Sequence, residues 1–118
     1  MLLQLESVVL FVNDIDAAAT WYADLLRVPV EHENPRYAFV RARHGVIIGF
    51  HPADAKNPGG VPGTTPYWEV ADFDAALATL LARGATLHRG PAVTDFGARV
   101  ALLIDPFGNT LGLNQAKR

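Results

Sequence analysis

Four histidines, His32, His44, His51 and His88, and a complete lack of cysteine set the limits on metal and nucleophile chemistry in this chain of 118 residues. Without cysteine there are no disulfides, thiolate nucleophiles or sulfur-ligated metals. No histidine falls into an H-x-E or H-E-x-x-H spacing that would aim two ligands at one ion. His44 reads as a hairpin-tip residue and His32 as a loop residue just before Asn34-Pro35, both solvated. His51 and His88 fall at strand ends, where they would face an interface. The remaining chemistry is the pair Tyr67 and Glu69, two residues apart on one face of a strand-like segment. A carboxylate on an inward face is costly unless solvated or paired. If that face is the inward one, Glu69 points to an open, wet cavity or a cationic ligand, or else to a rim residue paired with Arg99 or Arg36.

The bulk composition narrows the partners. Half of the residues are hydrophobic, 19% are charged and the formal net charge is -2. This is ordinary globular composition for one domain with a genuine core. The basic residues are scattered, with no stripe and no aromatic interleaving to recommend nucleic acid. No stretch approaches the roughly 20 apolar residues of a membrane span. The opening Met1-Leu2-Leu3-Gln4-Leu5-Glu6 lacks a basic region and a cleavage site. It reads as a first strand in a soluble, cytoplasmic protein.

An internal repeat supplies the elements that must position these residues. Val12-Asn13-Asp14-Ile15-Asp16-Ala17-Ala18-Ala19 matches Val70-Ala71-Asp72-Phe73-Asp74-Ala75-Ala76-Leu77 at a constant offset of 58 residues, about half of the chain. Each copy opens with a strand, 7–12 and 66–70, followed by an aspartate that can cap a helix and a second acid in its first turn. The helices span 15–26 and about 73–83, with apolar residues at helical spacing. Gly84 closes the second helix. Its counterpart in the first copy, Arg27, must avoid the left-handed conformation or tolerate its cost. Strand-like runs follow at 28–31, 37–41 and 46–50, then at 86–89, 99–104 and 110–114. Residues 52–65, with three prolines and three glycines, form a linker. The expected organisation is a single α+β domain of two tandem βαβββ units, about 5–51 and about 66–116.

The duplicated unit, with V-x-D-hydrophobic-x-x-A at each helix start and Asp105-Pro106-Phe107-Gly108-Asn109 before the last strand, resembles the vicinal oxygen chelate superfamily. This group comprises glyoxalase I, bleomycin-resistance proteins and extradiol dioxygenases, and the resemblance covers nearly the whole chain. It implies curved half-barrel sheets, commonly in dimers. It also implies a divalent metal held by His, Glu or Gln from the first and last strand of each unit. Carried onto this chain, those positions are Ser7 and Thr65, then Ile48 (or Gly49) and Gly112. None is a credible ligand, so no metal and no cofactor is expected.

With those positions fixed, alternation predicts the inward set. It comprises Ser7, Val9 and Phe11; Val46, Ile48 and Phe50; Thr65, Tyr67 and Glu69; and Thr110, Gly112 and Asn114. Arg99 is a further polar candidate. Phe11, Ile48 and Phe50 have an equal reading as filling of the half-barrel, and Trp21, Tyr22 and Leu25 read as sheet-packing core. Trp68 belongs under a helix unless the register slips by one residue. Gly112 would leave open space at the floor of the cavity. The apolar, partly aromatic lining suits burial of an organic molecule. The leading expectation is a metal-free, homodimeric protein that sequesters an antibiotic-like aromatic or cationic molecule. One alternative is a lyase, isomerase or dioxygenase, a metal-free isomerase using Glu69 as base and Tyr67 as acid. The other is a dimeric structural or regulatory module with no ligand.

Overall fold

A computed structural model describes Met1 and residues 3–117. The chain divides into two compact units, Met1–Gly59 and Gly60–Arg118. Each contains one four-stranded mixed sheet and one helix, in the order expected of a βαβββ repeat.

In the first unit, β1 (Ser7–Val12) leads to α1 (Ile15–Leu26), then β2 (Glu31–Asn34), β3 (Tyr37–Arg41) and β4 (Ile47–Pro52). The sheet order β1-β4-β3-β2 places the first strand parallel to the last. The helix begins where the Asp14 side chain accepts the Ala17 N–H at 3.0 Å. It ends with Arg27 left-handed, at φ 57°. A non-glycine residue there carries the cost of that conformation, offset by the Val28 N–H closing onto the Ala23 carbonyl. Helix α1 packs on β3 and β4. Leu10, Val12, Ala38, Val40, Ile48 and Phe50 are buried on that side of the sheet, with Ala18, Ala19, Tyr22 and Ala23 of the helix above them. The Tyr22 ring lies 5.4 Å from that of Phe50.

The second unit repeats the plan with β5 (Tyr67–Glu69), α2 (Phe73–Ala82), β6 (Thr86–Val93), β7 (Arg99–Ile104) and β8 (Thr110–Gln115), in the sheet order β5-β8-β7-β6. Asp72 caps α2 by accepting the Ala75 N–H. Here the chain leaves through Gly84 at φ +98°, a conformation glycine adopts without steric cost. Leu103, Leu111, Leu113 and Ala101 are buried together with Phe73 and Leu80 of α2.

The turn before β8 is built around Asp105, which is buried and whose Oδ1 accepts the N–H groups of Phe107 and Asn109. Asn109, also buried, accepts the Gly60 N–H at 2.8 Å, and the Thr110 hydroxyl donates to the Thr64 carbonyl at 3.2 Å. The turn thus pins two points of the irregular segment that precedes β5, and β5 pairs with β8 from there.

Several boundaries differ from expectation. Residues 3–6 have no regular structure ahead of β1, although the opening apolar stretch reads as strand, and Leu2 lies outside the described residues. Strand β2 falls at Glu31–Asn34 rather than 28–31, because its pairing with β3 starts after Val30. Strand β6 continues to Val93 rather than ending at residue 89, because its outer half still pairs with β7 at Ala92 and Val93 across irregular register.

Candidate functional site

Each sheet has one face under its helix and one face free of it. The registers decide which side chain belongs to which. In unit one the aligned pairs Ser7 and Ile47, Val9 and Gly49, and Phe11 and His51 share the helix-free face. The intervening pairs Val8 and Ile48, Leu10 and Phe50 lie on the helix side. In unit two Tyr67 aligns with Gly112 and Leu102, and Glu69 with Asn114 and Val100, all on the helix-free face. Trp68 aligns with Leu113 on the helix side.

Ser7, Val9, Phe11, Tyr67, Glu69 and Gly112 therefore occupy the face on which the sequence puts them. Three candidates do not. Ile48 and Phe50 are only 4% and 0% exposed and pack beneath α1, one residue out of phase with expectation. The physical reason is that β4 is apolar on both faces, so alternation carries no phase. Gly49, the second option for the ligand-equivalent position, is the one on the helix-free face. Arg99 also turns to the helix side. Its guanidinium makes two hydrogen bonds to the Asp74 carboxylate, at 2.9 and 3.2 Å, and lies 4.5 Å over the Phe73 ring. Those two hydrogen bonds, reinforced by the charge, hold the Asp74 carboxyl below the usual carboxylate range. Arg99 is a helix-to-sheet clamp in this unit and leaves Glu69 without that partner.

His32 is exposed as expected, but it belongs to a strand rather than a loop. It lies in β2 with Nε2 2.9 Å from Asp16 Oδ1, joining β2 to the first turn of α1. His44 does stand exposed in the Arg43–Gly45 turn. His51 Nδ1 lies 2.9 Å from the Pro52 carbonyl, which accepts only, so that nitrogen carries the proton. The His51 ring meets Phe11 edge to face at 5.6 Å.

The helix-free face of unit one also holds residues the sequence reading passed over. Tyr37 and Phe39 stack at 6.0 Å, and the Arg41 guanidinium sits 5.3 Å over Phe39 while its Nε donates to Glu31 at 2.8 Å. The alternation Tyr37-Ala38-Phe39-Val40-Arg41 is the signal that could have found this ladder. Burial, helped by the negative charges of Glu33 and Glu6, pushes the Tyr37 phenol above its ordinary value of 10.0.

The two glycines at equivalent places in the last strands are not gaps. A Cβ built on Gly49 would collide with the hydroxyl end of Tyr37. A Cβ on Gly112 would lie 2.5, 2.6 and 2.7 Å from Cδ1, Cε1 and Cγ of Tyr67. Gly112 is buried beneath that ring, which corrects the expectation of open space at the cavity floor.

This donor set does not fit a divalent metal. Ser7, Gly49, Thr65 and Gly112 offer no imidazole or carboxylate, and any longer side chain at Gly49 or Gly112 would first have to displace a tyrosine. Among the described residues, no three His, Cys, Asp or Glu side chains gather in a way that could hold an ion.

Comparison with known proteins agrees with the fold. The model of the Glyoxalase/Bleomycin resistance protein/Dioxygenase superfamily matches residues 4–113. Similar solved structures include a glyoxalase/bleomycin resistance protein/dioxygenase family enzyme from Burkholderia phytofirmans PsJN, at 20% identity and TM-score 0.81, covering 98% of this chain and 100% of that one. TnmS3, an antibiotic binding protein from Streptomyces sp. CB03234, is 24% identical with TM-score 0.77, covering 98% of both chains. The oxidase ChaP-H2 is 22% identical with TM-score 0.74, covering 99% of this chain and 96% of that one. At these identities the likeness is one of fold. No curated protein matches the sequence.

Proposed function

This chain belongs to the Glyoxalase/Bleomycin resistance protein/Dioxygenase superfamily, and we propose that within it the protein binds and sequesters a small, antibiotic-like organic molecule without a metal. The observation that carries this reading is the ligand-equivalent pair Gly49 and Gly112, each filled by a tyrosine rather than by a metal-binding side chain. The helix-free face of the first sheet offers Val9, 38% exposed, with Phe11, His51 and Phe39 beside it, and that of the second sheet offers Tyr67, 54% exposed. Apolar and aromatic surface with a few polar points is the usual lining of an organic ligand site. That an antibiotic-binding protein shares the fold supports the reading.

One open sheet face does not enclose a ligand. The reading therefore includes a homodimer in which a second copy supplies the opposing wall. A cytoplasmic setting suits a cysteine-free chain, and no helix among the described residues is long and apolar enough to cross a membrane.

Sequestration needs tight reversible binding and no catalytic group. The competing enzyme reading requires Glu69 and Tyr67 to act as base and acid, and their shared face is the observation in its favour. Native mass spectrometry of the protein as purified tests the proposal. The expected spectrum is a dimer free of divalent ions that takes up organic ligands. One divalent ion per chain, with an activity that chelation abolishes, would overturn it.

A further inference from the structure

The three near-equal distances from a Gly112 Cβ to consecutive atoms of the Tyr67 ring define how that ring lies. An edge-on approach would leave the two flanking atoms much farther than the middle one. Only an approach over the face brings all three so close. The ring lies flat on bare backbone, and its 54% exposure belongs to the side turned away from the sheet. A buried glycine thus converts a surface tyrosine into a fixed platform with one π-face open.

On β5 itself the charge beside the platform is negative. Glu69, two residues along β5, lies on the same face and is exposed. Its carboxylate meets no cation and no hydrogen-bond donor among the described residues. The nearest candidate in the sequence reading, Arg99, is committed to Asp74 on the other side of the sheet. Across the sheet this face continues with Leu102, Val100 and Asn114, and the cation in register, Arg89 opposite Leu102 on the edge strand β6, stands three strands, about 14 Å, from β5. Successive residues on one face of a strand stand about 7 Å apart, so the carboxylate sits just beyond the edge of a stacked ring.

We propose that Tyr67, seated on Gly112, is a stacking platform for a flat aromatic ligand that carries a positive charge on a short arm, with Glu69 as its counter-charge. The inference rests on the small-molecule reading above and deepens it by assigning the ligand's shape and charge. Stacking on the open face supplies sequence-independent affinity for any flat ring, and a cation near the ring and the carboxylate gains from both. Gly112 is a positioning residue that acts through Tyr67.

Three probes of one ring system separate these contributions: (aminomethyl)anthracene, anthracenemethanol and anthracenecarboxylate, titrated by fluorescence. The native protein should bind the ammonium about fivefold more tightly than the alcohol, and the carboxylate most weakly. Glu69→Gln should erase the preference while leaving the alcohol unchanged. Tyr67→Leu should weaken all three by about tenfold. Gly112→Ala should do the same through a displaced ring. If Gly112→Ala fails to fold, the double variant Tyr67→Ala with Gly112→Ala has room for the methyl group and should match Tyr67→Ala in binding. Equal affinity for the three probes, unchanged by Glu69→Gln, would overturn the charge assignment and leave small-molecule binding standing. Binding that survives Tyr67→Leu, or no binding of any probe to the native protein, would overturn the platform itself. The metal-free reading is judged separately by mass spectrometry.

Discussion

Phe11 and Phe50 look alike in the sequence, each a phenylalanine in an apolar strand, and the sheet separates their roles. Phe50 is fully buried under Tyr22, whereas Phe11 lies on the helix-free face beside His51. Phe50→Ala should remove about 3–5 kcal/mol of stability through the cavity it leaves. Phe11→Ala should cost less than that, and its effect should appear in ligand affinity. Chemical denaturation of both variants checks the contrast. Tyr37 gives a second residue-scale expectation. Its folded pKa is raised by burial and by Glu33 and Glu6. The folded state holds that proton longer than the unfolded chain does. The associated stability is complete below the ordinary value of 10.0 and is lost as pH rises through the raised folded value. Phenolate absorbance should show a late-titrating component that is lost in Tyr37→Phe.

At the scale of elements, the turn from Asp105 to Asn109 does more than reverse the chain. Asn109 accepts the Gly60 N–H in a part-buried hydrogen bond, so it ties down the segment that leads into β5. Asn109→Ala should cost about 1–3 kcal/mol and should lower ligand affinity in a protein that still folds, as thermal unfolding and a binding titration together would show. The elements themselves were legible in advance. Both helix starts follow from the repeated aspartates, and β8 follows from its alternating leucines, which also gave the correct face for Gly112. Strand β4 was legible as a strand but not in its phase, since Ile47-Ile48-Gly49-Phe50 is apolar on both sides. The same holds for Arg99, at the start of a continuously apolar strand. Its direction is set by Asp74, which is distant in sequence. The Tyr67–Gly112 seat lay beyond sequence reasoning, because strand pairing alone brings that ring over that glycine.

Over the whole molecule, one unit appears twice with different contents on its helix-free face. Unit one carries an aromatic ladder closed by the Arg41–Glu31 pair, and unit two carries the Tyr67 platform with Glu69 beside it. In both, a glycine in the last strand receives a tyrosine where the superfamily resemblance implies a ligand. Metal-free binding is the function we propose for both, and an amide chemical-shift titration with (aminomethyl)anthracene in excess chelator tests it most directly. The account predicts shifts at Tyr67, Glu69 and Gly112 and an affinity indifferent to the chelator. Binding that vanishes in chelator and returns with an added divalent ion would contradict it.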